Sequence, residues 1–168
     1  MVAIAGERLA AHSRQKGHGF DFCFIGAGYE REVDEFLTVN PGLAGRFNRK
    51  LRFESYSPAE LAEIAIRYGR PRATVLEPAA AEALKAACTT LRAYHAPDGT
   101  HGVDVMQNGR FARNVVERAE RLRDSRVAAQ HRTDKGSVTV EDLQTLRTPD
   151  VSAAMKDACA EKHVPIAL

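Results

Sequence analysis

The chain has 168 residues, of which 44% are hydrophobic and 27% are charged, and its formal net charge is +2. This composition fits one or two packed domains and excludes a largely disordered protein. The small net charge gives no general affinity for nucleic acid, and no segment has the ~18 consecutive apolar residues of a membrane-spanning helix. Three widely spaced cysteines argue against a disulfide framework and indicate a reducing compartment. We therefore expect a cytoplasmic protein without membrane insertion.

The first part of the chain combines helix and strand signals. A helix is predicted over 4–16, where glycines follow it. Consecutive apolar residues at 20–25 predict a strand that is buried on both faces, as in the centre of a parallel sheet. A helix over 29–39 and an edge strand over 50–54 follow. Because two strands do not make a complete covered sheet, we expect residues 1–57 to be the end of an α/β core.

The pattern changes to helix from Ser57 onward. Ser57, Pro58 and Glu60 have the spacing of an N-cap, a first-position proline and a capping-box partner, for a helix to about residue 70. The later predicted elements are a helix over 76–94, a loop over 96–107, a long helix over 108–131, an extended piece over 137–140 and a last helix from 148. The chain is thus expected to be predominantly helical, with a helical subdomain over 58–168.

Four motifs follow one another in a defined order. They are an apolar strand ending in Ala-Gly-Tyr, an Asn-Pro-Gly-Leu segment ending in Arg-Phe, an aromatic strand before a capped helix, and an Asn-x-Arg segment. In sequence they read Phe24-Ile25-Gly26-Ala27-Gly28-Tyr29, Asn40-Pro41-Gly42-Leu43-Ala44-Gly45-Arg46-Phe47, Phe53-Glu54-Ser55-Tyr56-Ser57-Pro58-Ala59-Glu60-Leu61 and Gln107-Asn108-Gly109-Arg110-Phe111-Ala112-Arg113. This order resembles the AAA+ ATPases of the CbxX/CfxQ family, most of all those of the mycobacterial type VII secretion system (the EccA kind), over about residues 20–155.

The resemblance implies the C-terminal portion of a ring-forming ATPase that binds ATP and Mg²⁺ when intact and remodels or secretes protein substrates. Residues 1–57 would be the end of the α/β core, with the sensor-1 strand and the arginine-finger segment. Residues 58–168 would be the helical lid with the sensor-2 helix. By this resemblance Arg46 is the arginine finger offered to a neighbouring subunit, and Arg49 substitutes for it or assists it. A guanidinium suits this role because it is always charged and forks onto phosphate.

The same resemblance assigns Arg110 to sensor 2, which reaches from the lid to the phosphates bound in its own subunit. Arg113 is the second candidate, and Gln107 stands where the family pattern has glycine. Tyr29 occupies the place of a sensor-1 residue, where its phenol either orients the attacking water or packs at the end of the strand.

The motifs that hold ATP and magnesium in this family are absent from the sequence. There is no Gly-x-x-x-x-Gly-Lys-Ser/Thr loop and no apolar strand that ends in Asp-Glu. We therefore expect that the chain alone neither hydrolyses ATP nor binds it tightly. The alternative to a portion of an ATPase is a non-catalytic helical protein-interaction module derived from an AAA+ lid.

The remaining polar residues favour structural roles. His95, Asp98, His101 and Asp104 share one loop, but their spacing matches no closed metal site, so no metal is expected. Residues 108–132 contain seven arginines and three acidic residues without a set of stacking aromatics, which argues against nucleic acid. The arginines expected to form only a solvated helix face are Arg118, Arg121, Arg123, Arg126 and Arg132. The cysteines expected to be small buried residues are Cys23 and Cys88.

Overall fold

The computed structural model describes residues 2–6, 24–39, 42, 45–47 and 49–166. The chain divides into two compact units, Met1–Glu54 (unit 1) and Ser55–Leu168 (unit 2). The described residues contain seven α-helices and five short strands, which confirms the prediction of a predominantly helical protein. The functional division into residues 1–57 and 58–168 stays a prediction.

The described part of unit 1 has three antiparallel strands and one helix. In chain order these elements are β1 (Val2–Gly6), β2 (Phe24–Gly28), α1 (Glu30–Val39) and β3 (Arg49–Arg52). The strand order is β2-β1-β3, and Ala3 of the central strand is opposite Ala27 on one side and Leu51 on the other. All four residues of β3 are exposed, so the predicted edge strand is confirmed.

Two predictions for unit 1 are wrong. Residues 2–6 form a strand rather than the start of a helix, because they pair with β2 and β3, and no local pattern reports such distant partners. The strand predicted at 20–25 is β2, which is antiparallel to its neighbour, and Ile25 is 70% exposed because no described element covers it. Residues 7–16 of the predicted helix, and Cys23, lie outside the described residues.

Ion pairs fix α1 against β3 within unit 1. The Lys50 ammonium lies 2.6 Å from Asp34 Oδ1 and 3.3 Å from Glu30 Oε1, and Arg52 also pairs with Glu30. The hydrogen bond to Asp34 raises the pKa of Lys50. Val33 of α1 is buried, as its place in the helical pattern predicts.

Unit 2 is a helical domain with one very small parallel sheet. Its elements are α2 (Pro58–Gly69), a 3-10 turn (Arg70–Arg72), β4 (Val75–Leu76), α3 (Pro78–Ala93), α4 (Gly102–Val105), α5 (Gly109–Thr133), α6 (Val140–Gln144), β5 (Thr145–Leu146) and α7 (Thr148–Glu161). Helices α2, α3, α5 and α7 confirm the sequence analysis. The prediction of an extended piece at 137–140 is wrong in part, because the Thr139 side chain caps α6 and draws Val140 into that helix.

The core of unit 2 is shared by its four long helices. Leu61 of α2, Leu84 and Leu91 of α3, Phe111 of α5 and Met155 of α7 are all fully buried. Each such side chain stabilises the fold by roughly 1.5–3 kcal/mol relative to an exposed one. Because α5 contacts both α2 and α7, this core determines where the first turn of α5 lies.

Two thiols belong to this core. Cys88 and Cys159 are buried, which confirms the prediction for Cys88. Burial raises the pKa of Cys88 to about 12 and the pKa of Cys159 to about 11. Both are therefore neutral packing residues at physiological pH.

A buried carboxylate joins α5 to the turn after α2. Glu120 is 8% exposed and accepts hydrogen bonds from the Arg72 guanidinium, at 2.5 and 3.0 Å, and from Thr74 Oγ1, at 2.7 Å. The Arg72 bonds lower the pKa of Glu120. Ala73 lies between Arg72 and Thr74, and these contacts hold it in the left-handed region at φ 52°.

The prediction of a purely solvated arginine face on α5 is wrong for three residues. Arg118 pairs with Glu161 at 2.6 Å, Arg123 with Asp124 at 2.8 Å and Arg126 with Asp150 at 3.0 Å. The side chains of Arg118, Arg123 and Arg126 are only 25%, 12% and 26% exposed, and each also bonds a residue outside α5: Glu161, Thr74 and Asp150, respectively. Arg121 and Arg132 are exposed, as predicted.

Candidate functional site

Arg110 lies in the first turn of α5 and is exposed. Its guanidinium has no hydrogen bond or ion pair with any residue that the structure describes. Arg113 lies one turn later, is also exposed and likewise makes no hydrogen bond or ion pair within the described part of the chain. Since the N-terminal end of a helix is electropositive, this end of α5 carries positive charge that no described residue pairs with and that can receive an anion.

Tyr68 of α2 stands beside this end of α5. Its hydroxyl donates to Glu117, which raises the pKa of Tyr68, while the nearby positive charge of Arg113 acts in the opposite direction. Arg72 lies over the Tyr68 ring, 5.3 Å from its centroid. Glu117 thus accepts a hydrogen bond from the phenol and forms no ion pair with Arg113 in the described part of the chain.

The backbone immediately before α5 is strained. Gln107 has φ 66°, and Asn108 has φ 51° with ψ −121°. Residues other than glycine rarely adopt either backbone conformation. The two residues separate α4 from α5, and the helix that carries Arg110 starts directly after them.

A group of hydrogen bonds holds this turn. Asn108 Oδ1 accepts from the Tyr56 N–H at 3.1 Å, and Asn108 Nδ2 donates to Asp104 Oδ1 at 2.5 Å. The Ser55 hydroxyl donates to the same Asp104 oxygen at 2.5 Å. The Arg92 guanidinium donates to the carbonyls of Ser55 and Tyr56 at 3.3 and 3.0 Å. We term these five residues the Asn108 cluster.

Asn108, Ser55 and Tyr56 stand in the predicted motifs, but their contacts with one another, with Asp104 and with Arg92 were not predicted from the sequence. The bonded residues are 36 to 52 residues apart along the chain, except for Asp104 and Asn108, which are four apart. Only that short spacing, and the tolerance of asparagine for positive φ, are signals that a sequence carries.

The other candidate residues belong to unit 1. Arg46 lies in a turn and is exposed, and Arg49 is the exposed first residue of β3. Neither guanidinium has a hydrogen bond or ion pair to a described residue. Tyr29 is 62% exposed, and its carbonyl accepts from the Val33 N–H at 2.9 Å at the start of α1. Arg110 and Arg113 therefore lie one turn apart on α5 in unit 2. Arg46 and Arg49 lie three residues apart in unit 1.

The loop before α4 does not gather its four potential metal ligands. The His95 and His101 rings lie 4.3 Å apart, and each Nδ1 faces a backbone carbonyl, that of Ala93 and that of Arg92. Asp104 instead belongs to the Asn108 cluster. Among the described residues, no three His, Cys, Asp or Glu side chains form a group that could hold a metal ion.

Within the described ranges, none of the helices combines the length and apolarity that crossing a bilayer requires.

Comparison with known proteins identifies the family. The model of the AAA lid domain family matches residues 57–161, which include α2 to α7 and the whole of the strained turn. The match thus covers the helices of unit 2 together with Arg110 and Arg113, whereas Ser55 and Tyr56 of the Asn108 cluster lie just before it.

Curated relatives extend the match into unit 1. The ESX-2 secretion system protein EccA2 of Mycobacterium tuberculosis is 62% identical over 146 residues, which are 87% of this chain and 23% of that protein. The ESX-3 secretion system protein EccA3 of the same organism is 38% identical over 135 residues, 77% of this chain and 21% of that protein. The ESX-1 secretion system protein EccA1 of Mycolicibacterium smegmatis is 36% identical over 129 residues, 77% of this chain and 22% of that protein.

The chain therefore spans less than a quarter of the length of these relatives. The resemblance to the type VII secretion ATPases that the four motifs predicted is confirmed. With its family match over more than half of its residues, this chain belongs to the AAA lid domain family.

Proposed function

We propose that unit 2 is the lid of a ring-forming, ATP-hydrolysing secretion protein, and that Arg110 contacts the phosphates of ATP bound in its own subunit. The observation that carries the proposal is the pair of exposed guanidiniums, Arg110 and Arg113, on the first two turns of α5, which have no hydrogen-bond or ion-pair partner among the described residues. Other arginines of this helix are held by acidic partners (Arg118, Arg123 and Arg126). Arg113 supports Arg110 from the next turn.

The chemistry of such a lid is electrostatic. Transfer of the γ-phosphoryl group spreads negative charge over its oxygens, and catalysis depends mainly on positioning and on neutralising that charge. A lid arginine touches the phosphates of bound ATP before reaction as well as in the transition state. Loss of Arg110 therefore weakens ATP binding and slows turnover, since an interaction made in both states contributes to both.

Arg46 has a different role in the proposal. It projects from a turn of unit 1 and acts on ATP bound in the neighbouring subunit, with Arg49 as its substitute or assistant. An arginine finger stabilises mainly the transition state, so its loss lowers turnover by ~10³-fold or more with little change in ATP affinity. Tyr29 either orients the attacking water or packs beside the site.

The proposal also covers the assembly. A ring of identical subunits would use ATP with Mg²⁺ in the cytoplasm to move or remodel protein substrates of an ESX-type secretion system. The ATP-holding and Mg²⁺-holding groups would come from outside the present sequence, so the chain alone would not bind ATP tightly. The secretion role is taken from the names of the relatives and is proposed for this chain on that support.

The test uses the longer protein in which this chain replaces the matching 146 residues of the M. tuberculosis relative. We expect Arg110→Ala to raise the Kd for ATP about tenfold, the value of one charge-assisted hydrogen bond. Arg121→Ala is the matched control, because Arg121 is another exposed arginine of α5. Equal ATP affinity of the two variants in titration calorimetry would overturn the lid assignment and leave a protein-interaction module.

A further inference from the structure

We infer that Asn108 and Asp104 are positioning residues for Arg110, and that they act by locking the turn from which α5 starts. The inference rests on the proposed function, because it takes Arg110 to be the group that meets the phosphates. Neither residue reaches the reacting atoms in this account. They affect Arg110 by fixing the position and direction of the first turn of α5.

The turn before α5 is held in a strained backbone conformation. Gln107 and Asn108 are consecutive residues with positive φ, and Asn108 combines φ 51° with ψ −121°, a conformation suited to glycine. Strained backbone of this kind persists only where the surroundings hold it, and it concentrates at functional sites. The unstrained alternative would start α5 differently and move Arg110, two residues on.

The Asn108 side chain forms hydrogen bonds through both its amide oxygen and its amide nitrogen. Its Oδ1 accepts from the Tyr56 N–H, and its Nδ2 donates to Asp104 Oδ1. The Asp104 oxygen also accepts from the Ser55 hydroxyl, so the two side chains bind one stretch of chain, Ser55 and Tyr56, from two sides. Arg92 holds the carbonyls of the same stretch. The turn is therefore tied to a segment that precedes α2.

Gly109, the first residue of α5, lies beside the ring of Tyr56 and the side chain of Ile64. A Cβ atom on Gly109 would lie 3.4 Å from Cε2 of the Tyr56 ring and 3.5 Å from Cδ1 of Ile64. The first residue of α5 is thus packed against the residue that Asn108 binds. Hydrogen bonds and packing fix the same point, one residue before Arg110.

Two pairs of variants separate the roles of the side chains. Asp104→Asn keeps the Oδ1 acceptor for Ser55 and Asn108, whereas Asp104→Ala removes it. Asn108→Gly permits the strained backbone but loses both side-chain bonds, so it keeps the fold while removing the lock. Thr139→Ala is the control for a lost cap elsewhere in unit 2, because Thr139 caps α6.

The readout is ATP affinity in the exchanged longer protein. We expect Asp104→Ala and Asn108→Gly each to raise the Kd for ATP about fivefold, which is less than the tenfold effect expected for Arg110→Ala. Asp104→Asn should stay within about twofold of the parent, and so should Thr139→Ala. If the Kd for ATP rises in proportion to the loss of thermal stability across all four variants, the inference is overturned, because a residue with a merely structural role gives that result.

A double-mutant cycle decides whether the effect passes through Arg110. In the Arg110→Ala background, Asp104→Ala should change the Kd for ATP by less than about twofold, because the group that it positions is gone. A full fivefold change in that background would overturn the inference while leaving the proposed function intact. If Arg110→Ala itself has no effect on affinity, the proposed function fails first, so the two failures are distinguishable.

Discussion

At the scale of single residues, the candidate site depends on a turn that sequence alone describes poorly. Ser55, Tyr56, Asn108 and Arg110 all stand in the predicted motifs, but the hydrogen bonds that join Ser55 to Asp104, Tyr56 to Asn108 and Arg92 to Ser55 and Tyr56 span 36 or more residues. No periodicity or local propensity reports such contacts. The motif therefore predicts which residue faces the ligand, whereas only the fold reveals what holds that residue.

Replacing Gln107 by glycine should stabilise the chain. Gln107 is exposed at φ 66°, where a side chain costs ~1–2 kcal/mol and glycine costs none. Part of this gain is lost because glycine makes the unfolded chain more flexible. We expect Gln107→Gly to raise the free energy of unfolding by about 0.5 kcal/mol in urea titrations. Gln107→Ala, which retains a Cβ atom, should give no increase, and an equal increase would contradict the strain argument.

Removing Arg72 should destabilise the chain more than neutralising its partner, Glu120. Arg72→Ala leaves a buried carboxylate without its guanidinium and should cost about 3 kcal/mol. Glu120→Gln should cost less, about 1 kcal/mol, because an amide oxygen still accepts from Arg72 and Thr74, and because Arg72 is partly exposed to water. Urea unfolding of both variants at neutral pH checks this order, and the reverse order would contradict it.

The same carboxylate predicts the sign of a pH effect. The pKa of Glu120 is lowered from its ordinary value of 4.5 in the folded chain. The unfolded chain therefore takes up this proton first as the pH falls, so the contribution is complete above pH 4.5 and is lost as the pH falls through the folded pKa. The stability advantage over Glu120→Gln should shrink below that pH. An advantage that grows in acid would show that the carboxylate is not stabilised in the folded state.

At the scale of helices and strands, prediction succeeded where the signal is local. The start of α2 was predicted from Ser57, Pro58 and Glu60, and the structure shows the predicted capping box. It failed for β1 and for the parallel pair of β4 and β5, whose partners lie far away along the chain. A strand of two to five residues has no periodicity long enough to separate it from a helix or loop.

Loss of the α2 cap should destabilise unit 2. The Ser57 hydroxyl accepts from the Glu60 N–H at 3.2 Å, and the Glu60 carboxylate accepts from the Ser57 N–H at 2.8 Å. Ser57→Ala removes one of these bonds and should lower the free energy of unfolding by about 1 kcal/mol. Ser125→Ala is the matched control, because Ser125 is exposed within α5 and its hydroxyl bonds, among the described residues, only the Arg121 carbonyl. Equal losses in urea unfolding would show that the cap adds nothing.

At the scale of the whole molecule, the two units contribute different groups to the proposed function. Unit 2 carries Arg110 and Arg113, and unit 1 carries Arg46 and Arg49. In the proposal a complete ATP site needs Arg110 from the subunit that binds ATP and Arg46 from its neighbour. The proposal therefore predicts how rings that mix Arg46→Ala subunits with Arg110→Ala subunits will behave.

The most direct measurement is ATP hydrolysis by mixed rings of the exchanged longer protein. Rings of Arg46→Ala subunits and rings of Arg110→Ala subunits should each turn over ATP slowly at subsaturating concentration. In a random equal mixture, about a quarter of the sites should combine an intact Arg110 with a neighbour's intact Arg46, so activity should rise well above both parents. A mixture whose activity equals the mean of the two parents would contradict the account, since it would mean that the two arginines do not meet across a subunit boundary.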